Sequence, residues 1–158
     1  MSERTTRHAR AARFFDDAEE ARILAAIRAA ERTTSGEIRV HVESRCPGDP
    51  MAVARARFQR LGMAKTGARN GVLFYLATRD GRFAVFGDEG IHQHVGDPFW
   101  KDLRDRMTER FQRNEFALGL TEAIAAVGVH LAVAFPRAKD DRNELPDTIS
   151  WEEKERPH

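Results

Sequence analysis

Apolar residues recur along this chain at two periods, and the switches between them mark out its elements. Ile23, Leu24 and Ile27 stand at helical spacing, and Asp16 with Glu19 three positions on has the reciprocal acidic start of a helix. The spacing predicts a first helix from about Ala18 to Thr33, closed by Ser35-Gly36. Ile38, Val40 and Val42 then alternate with Glu37, Arg39, His41 and Glu43, the period of a strand with one core face and one polar face. Cys46-Pro47-Gly48-Asp49-Pro50 reads as a loop opening a second helix that carries Met51, Val53, Phe58 and Leu61.

A polar, glycine-bearing loop from Gly62 to Asn70 leads into the nearly all-apolar run Gly71 to Ala77, which suits a central strand covered on both faces. Thr78-Arg79-Asp80-Gly81 has turn composition, and Arg82 to Phe86 alternates again, so a hairpin is expected, with Tyr75 and Val85 on its paired strands. Gly87-Asp88-Glu89-Gly90 reads as a loop, and Asp97-Pro98 as an N-cap with proline at the first helical position. That helix shows Phe99, Leu103, Met107 and Phe111 on one side. Another begins near Glu115, carries Phe116, Leu120, Ile124, Val127 and Leu131, and is closed by Pro136. The order of elements predicts an α/β fold, a small mixed sheet with helices on both faces. The expected divisions are a flexible basic arm over 1–13, the folded domain over 14–136, and a charged tail over 137–158 anchored by Leu145, Ile149 and Trp151.

Composition narrows the setting. The 158 residues are 41% apolar, enough for one core, and 26 basic against 25 acidic side chains leave a net charge of +1. Such a balance supplies no field to attract nucleic acid or anionic lipid. Cys46 is the lone cysteine, so neither an internal disulfide nor a Cys-rich zinc site can form. The first thirteen residues lack the apolar core of a secretory signal, and Ile124 to Phe135 is short for a membrane span. A soluble, cytoplasmic protein without a membrane span is the expectation.

Four segments in one order carry a family resemblance. Thr34-Ser35-Gly36-Glu37-Ile38-Arg39-Val40, Arg69-Asn70-Gly71-Val72-Leu73, Phe86-Gly87-Asp88-Glu89-Gly90-Ile91 and Asp97-Pro98-Phe99-Trp100 are similar to the motifs of the TPM domain, above all its small stand-alone bacterial branch, over about Phe14 to Pro136. The resemblance implies a three-layer αβα sandwich. It also implies, as in several members, a calcium or other divalent ion held by carboxylates near the loop ends, and a phosphatase activity attributed to some members. The motif positions for such an ion are Asp16 or Asp17, Asn70, Asp88, Glu89 and Asp97. Many relatives have Tyr-Gly or Gly-Gly where this chain has Gly87-Asp88-Glu89-Gly90, which makes its ligand set its own.

The residues themselves offer the same chemistry. Asp88 and Glu89 between glycines present adjacent carboxylates and backbone carbonyls to a hard cation, with Asn70 as a neutral oxygen ligand. Calcium suits such a set best, while magnesium, manganese and zinc stay open. The competing reading is a solvated acidic turn with ordinary helix caps, and Asp16 fits a cap better than a ligand, which leaves Asp17 as the candidate. For phosphate-ester hydrolysis, Arg69, Arg79 or Arg82 would hold phosphate and Asp97 would act as acid or base. His92 and His94 would face one side on an extended segment and diverge on a helix, and His41 on the polar strand face reads as a hydrogen-bonding residue. The rival class is a non-catalytic interaction module, presenting the helix from Pro98 to Arg113 and the segment Asn143 to Trp151 to an unknown protein partner.

Overall fold

The computed structural model describes residues 14–137 and 149–152. The basic arm and most of the tail, including Leu145, lie outside the described residues. Helix α1 (Asp17–Glu31) begins with the capping box read from the sequence: Asp16 accepts the Glu19 backbone N–H at 2.8 Å, and the Glu19 side chain accepts that of Asp16 at 3.0 Å. Strand β1 (Glu37–Glu43) is followed by α2 (Pro50–Arg60), capped by Asp49 with Pro50 at its start. A short 3₁₀ turn at Met63–Lys65 precedes β2 (Gly71–Ala77), which is buried along its whole length, and β3 (Arg82–Gly87). Two long helices, α3 (Glu89–Gln112) and α4 (Phe116–Ala134), lead to the short β4 (Ile149–Trp151).

The sheet has the order β3-β2-β1-β4. β1 is parallel to both β2 and β4, and β2 is antiparallel to β3. Ile38, Val40, Val42, Val72, Phe74 and Val85 face one way and share a core with α1, α3 and α4. Leu73, Tyr75, Ala77 and Ala84 face the other way against α2. This is the three-layer αβα sandwich. Each fully buried Val, Leu, Ile or Phe side chain contributes roughly 1.5–3 kcal/mol, so the larger α1/α3/α4 layer carries most of the stability.

The hairpin sets Tyr75 and Val85 on paired antiparallel strands, as expected, with Tyr75 opposite Ala84 and Phe74 opposite Val85 because Ala77 and Arg82 close the turn. That register puts like faces together, Tyr75 with Ala84 toward α2. Four features depart from the sequence reading. The segment expected to be a loop at Gly87 to Gly90 is a strand end, an N-cap and the first turn of α3. The break lies at Gly96, whose φ of 76° and ψ of 172° interrupt α3 just before Asp97-Pro98, where a helix start was expected. Ile149 to Trp151, placed in the tail, form the edge strand β4, and the polar face of β1 is buried, with Glu37, His41 and Glu43 each no more than 3% exposed. Finally, α4 is long and apolar enough to cross a membrane, with 19 residues and a mean hydropathy of 1.8, yet half of that window is packed inside the domain.

Candidate functional site

The start of β2 and the start of α3 are clamped together. Asp88 donates its backbone N–H to Gly71 O at 2.9 Å, and Gly90 donates to Arg69 O at 2.8 Å, so the carbonyls on either side of Asn70 tie down the first turn of α3. The approach is close enough that a Cβ at Gly90 would lie 2.4 Å from Ala68 O and 2.7 Å from Arg69 O. Arg69 itself has a φ of 54°. Its guanidinium donates from Nε to Asp88 Oδ2 and from Nη2 to Asp88 Oδ1, both at 2.9 Å, while Asp88 Oδ1 also accepts the Glu89 N–H at 2.7 Å. The hydrogen bonds and charge of Asp88 push the Arg69 pKa up from its ordinary value.

Two buried oxygens at this corner lack partners among the described residues. Asn70 is 1% exposed and its Nδ2 donates to Ser35 Oγ at 3.3 Å, but its Oδ1 accepts no hydrogen bond. Thr66 Oγ1, in the same loop and 3% exposed, is likewise unpartnered. A buried oxygen without a donor is costly, and its usual explanation is an unseen water or ion. Arg69, Asp88, Glu89 and His92 line a shallow cavity of about 330 Å³ that opens this corner to solvent.

The other residues singled out from the sequence stand elsewhere. Asp17 follows Phe14, which shares a cavity with Ala77, Thr78 and Gly81 at the far end of β2. Arg79 and Arg82 belong to the hairpin turn at that same end, with Arg82 Nη1 donating to Gly48 O at 3.3 Å. The seven-residue β2 is about 20 Å long at ~3.3 Å per residue, so Asp17, Arg79 and Arg82 do not meet Asn70, Asp88 and Arg69. Asp97 has a side chain 94% exposed and pairs with His92, Nε2 to Oδ1 at 3.7 Å. His92 accepts the Trp100 indole N–H at Nδ1, 3.0 Å, while His94 packs toward His130, so on this helix the two imidazoles diverge. Among the described residues, no three His, Cys, Asp or Glu side chains stand close enough to share an ion.

A second polar centre, which the sequence did not single out as a site, lies on the buried polar face of β1. Glu43 accepts from His41 Nε2 at 3.0 Å, from Tyr75 Oη at 2.8 Å and from Arg57 through both Nε and Nη2, the latter at 3.3 Å. Burial works to raise the Glu43 pKa, but the hydrogen bonds from His41, Arg57 and Tyr75 outweigh it and hold the carboxyl at about 2. Burial first, and then the Glu43 carboxylate, push the Tyr75 phenol well above its ordinary range. On the other side of the imidazole, His41 Nδ1 lies 2.7 Å from Ser150 Oγ of β4. His41, Glu43, Arg57, Arg60, Cys46 and Trp151 line a cleft of about 1010 Å³ at the carboxyl ends of the parallel strands β1 and β4. The alternation of Glu37, Arg39, His41 and Glu43 was the available signal. It could not name Arg57 or Ser150, which arrive from an adjacent helix and a distant strand.

Comparison with known proteins fixes the family. The profile of the TPM domain matches residues 9–129. No curated protein matches the chain. The BA42 protein of the psychrophilic bacterium Bizionia argentinensis, solved by NMR, is 43% identical with a TM-score of 0.81 over 88% of this chain and 96% of that one. The N-terminal domain of a P. gingivalis protein superposes with a TM-score of 0.64 at 22% identity, over 78% of this chain and 80% of that one. The N-terminal domain of cg2496 from Corynebacterium glutamicum does so at 0.56 and 15%, over 88% and 82%. The last two share the fold. The profile match and the 43% identity across nearly the whole of both chains go further: this chain belongs to the TPM domain family.

Proposed function

We propose that this TPM domain binds a divalent cation, calcium first, at the corner formed by Thr66, Asn70, Asp88 and Glu89. The observation that carries the reading is the pair of buried, unpartnered oxygens, Asn70 Oδ1 and Thr66 Oγ1, in the loop whose end is hydrogen-bonded to the start of α3, where Asp88 and Glu89 stand. Neutral oxygens together with carboxylates are the donor set of a hard cation, with waters completing its shell. Arg69 neutralises Asp88 when no ion is bound, and its half-exposed side chain is able to swing aside. Of the three arginines expected to hold phosphate, Arg69 is the one at this corner. Phosphate-ester hydrolysis at the ion is therefore the finer form of the proposal, with Arg69 on the phosphoryl group and Asp97 reaching it through His92.

A second reading, a protein-interaction module in which the ion stiffens the corner, draws on α4, where Val129 and Val133 are 63% and 70% exposed one helical turn apart. The deciding experiment is thermal unfolding of chelator-treated protein with added calcium, magnesium, manganese or zinc. It is repeated on Asp88→Asn and Asn70→Ala, with turnover of p-nitrophenyl phosphate followed in the same samples. An ion present at 100 times its dissociation constant stabilises the fold by about 2.7 kcal/mol. A shift that both variants lose supports the corner, and metal-dependent turnover makes it catalytic. Stabilisation without turnover supports the module, and no shift with any ion overturns the cation reading.

A further inference from the structure

The cleft at the carboxyl ends of β1 and β4 has a feature that the cation reading leaves unused: a continuous hydrogen-bond chain from a serine through an imidazole to a buried carboxylate. Ser150 Oγ is 2.7 Å from His41 Nδ1, and His41 Nε2 is 3.0 Å from Glu43 Oε1. The proton positions follow from the partners. Glu43 is ionised across the physiological range and can only accept, so His41 carries its proton on Nε2. In the neutral imidazole Nδ1 then presents a lone pair to which the Ser150 hydroxyl donates. Val40 O, at 3.3 Å from Ser150 Oγ, is the more distant acceptor.

We propose that Ser150, His41 and Glu43 form a nucleophile relay for carboxylic-ester hydrolysis beside this cleft, whose lining includes His41, Glu43 and Trp151, the residue that follows Ser150. Nucleophile, base and orienting acid stand in sequence at hydrogen-bonding distance, which is how an activated serine is recognised whatever the fold. Tyr75 and Arg57 fix the carboxylate from its other sides, so the imidazole is held in one orientation and one tautomer. The cleft beyond it has an apolar wall in Leu61 and Trp151 and an over-half-exposed guanidinium in Arg60, suited to a small uncharged ester with charge developing on its carbonyl oxygen.

In the reaction, Ser150 Oγ attacks the carbonyl carbon as its proton passes to His41 Nδ1. The C–O bond to the alcohol breaks, and the alcohol leaves with that proton. Water, deprotonated by His41, then attacks the acyl-serine, and the carboxylic acid departs as Ser150 regains its proton. No oxidant or metal enters the balance.

A structural serine bridging two strands would show the same distances but would not react, so the test is covalent. The wild-type protein in EDTA is treated with a fluorophosphonate probe and the adduct located by mass spectrometry, with p-nitrophenyl acetate hydrolysis measured alongside. The expected result is one adduct on Ser150 and hydrolysis that persists in EDTA. Loss in Ser150→Ala and a slowing of at least about 100-fold in His41→Gln are expected, each with its melting temperature checked. No adduct, an adduct elsewhere, or unchanged hydrolysis in Ser150→Ala would overturn the relay. The EDTA condition separates its failure from that of the cation site.

Discussion

Tyr75 donates a 2.8 Å hydrogen bond from its phenol to Glu43 Oε2 across neighbouring parallel strands, in the buried layer between the sheet and α2. The carboxylate keeps His41 and Arg57 when Tyr75 is replaced by phenylalanine, so Tyr75→Phe is expected to cost about 1.5–3 kcal/mol, the worth of one hydrogen bond to a charged group. Glu43→Ala removes the acceptor shared by all three donors and leaves a guanidinium without its partner in a half-closed site. It is expected to cost about 3–5 kcal/mol. Urea unfolding of the two variants measures both, and a Glu43→Ala loss no larger than that of Tyr75→Phe would refute the shared-acceptor account.

The same carboxylate sets an acid limit. The folded-state pKa of Glu43, about 2, lies below its ordinary 4.5, so the unfolded chain binds the proton more readily. The stabilisation is complete above pH 4.5 and is lost as the pH falls through about 2. Acid titration of stability between these values is expected to be steeper for the wild type than for Glu43→Gln. Equal slopes would show that another group governs the acid transition.

Gly96 and Gly90 answer to different constraints. The φ of 76° and ψ of 172° at Gly96 lie in a region that side-chain-bearing residues avoid, so Gly96→Ala is expected to cost about 1–3 kcal/mol through backbone strain. At Gly90 the obstacle is contact, a Cβ 2.4 Å from Ala68 O. Gly90→Ala is expected to push α3 away from the β2 loop, weakening any ion bound at Asn70 and Asp88 while Gly96→Ala leaves that binding intact. Isothermal calorimetry with calcium on the two variants tests the contrast.

Arg69 engages both carboxylate oxygens of Asp88. If the corner is the ion site, Arg69→Ala lowers the melting temperature in chelator, because Asp88 loses its counter-charge, and raises calcium affinity several-fold. A fall in affinity would instead make Arg69 a support of the site.

The sequence by itself determined the layers. The two periods of apolar residues, the Asp16–Glu19 capping box and the unbroken run from Gly71 to Ala77 are local signals. Each was enough to place α1, β1 and the central strand, and the family motifs fixed their order. Sequence also separated Asn70 from its neighbours as a residue of interest. It could not assign Asp88, because a carboxylate between glycines looks the same in a loop as at a helix N-cap; the backbone conformation of the next residues decided that. Nor could it show that Asp17 and Arg79 lie a strand's length from Asn70. The partnership of Glu43 with Arg57, and of His41 with Ser150 from 109 positions away, depends on how α2 crosses the sheet and on which edge β4 joins. Those are long-range choices made by packing, where a polar strand face becomes an interior only when another element arrives to cover it.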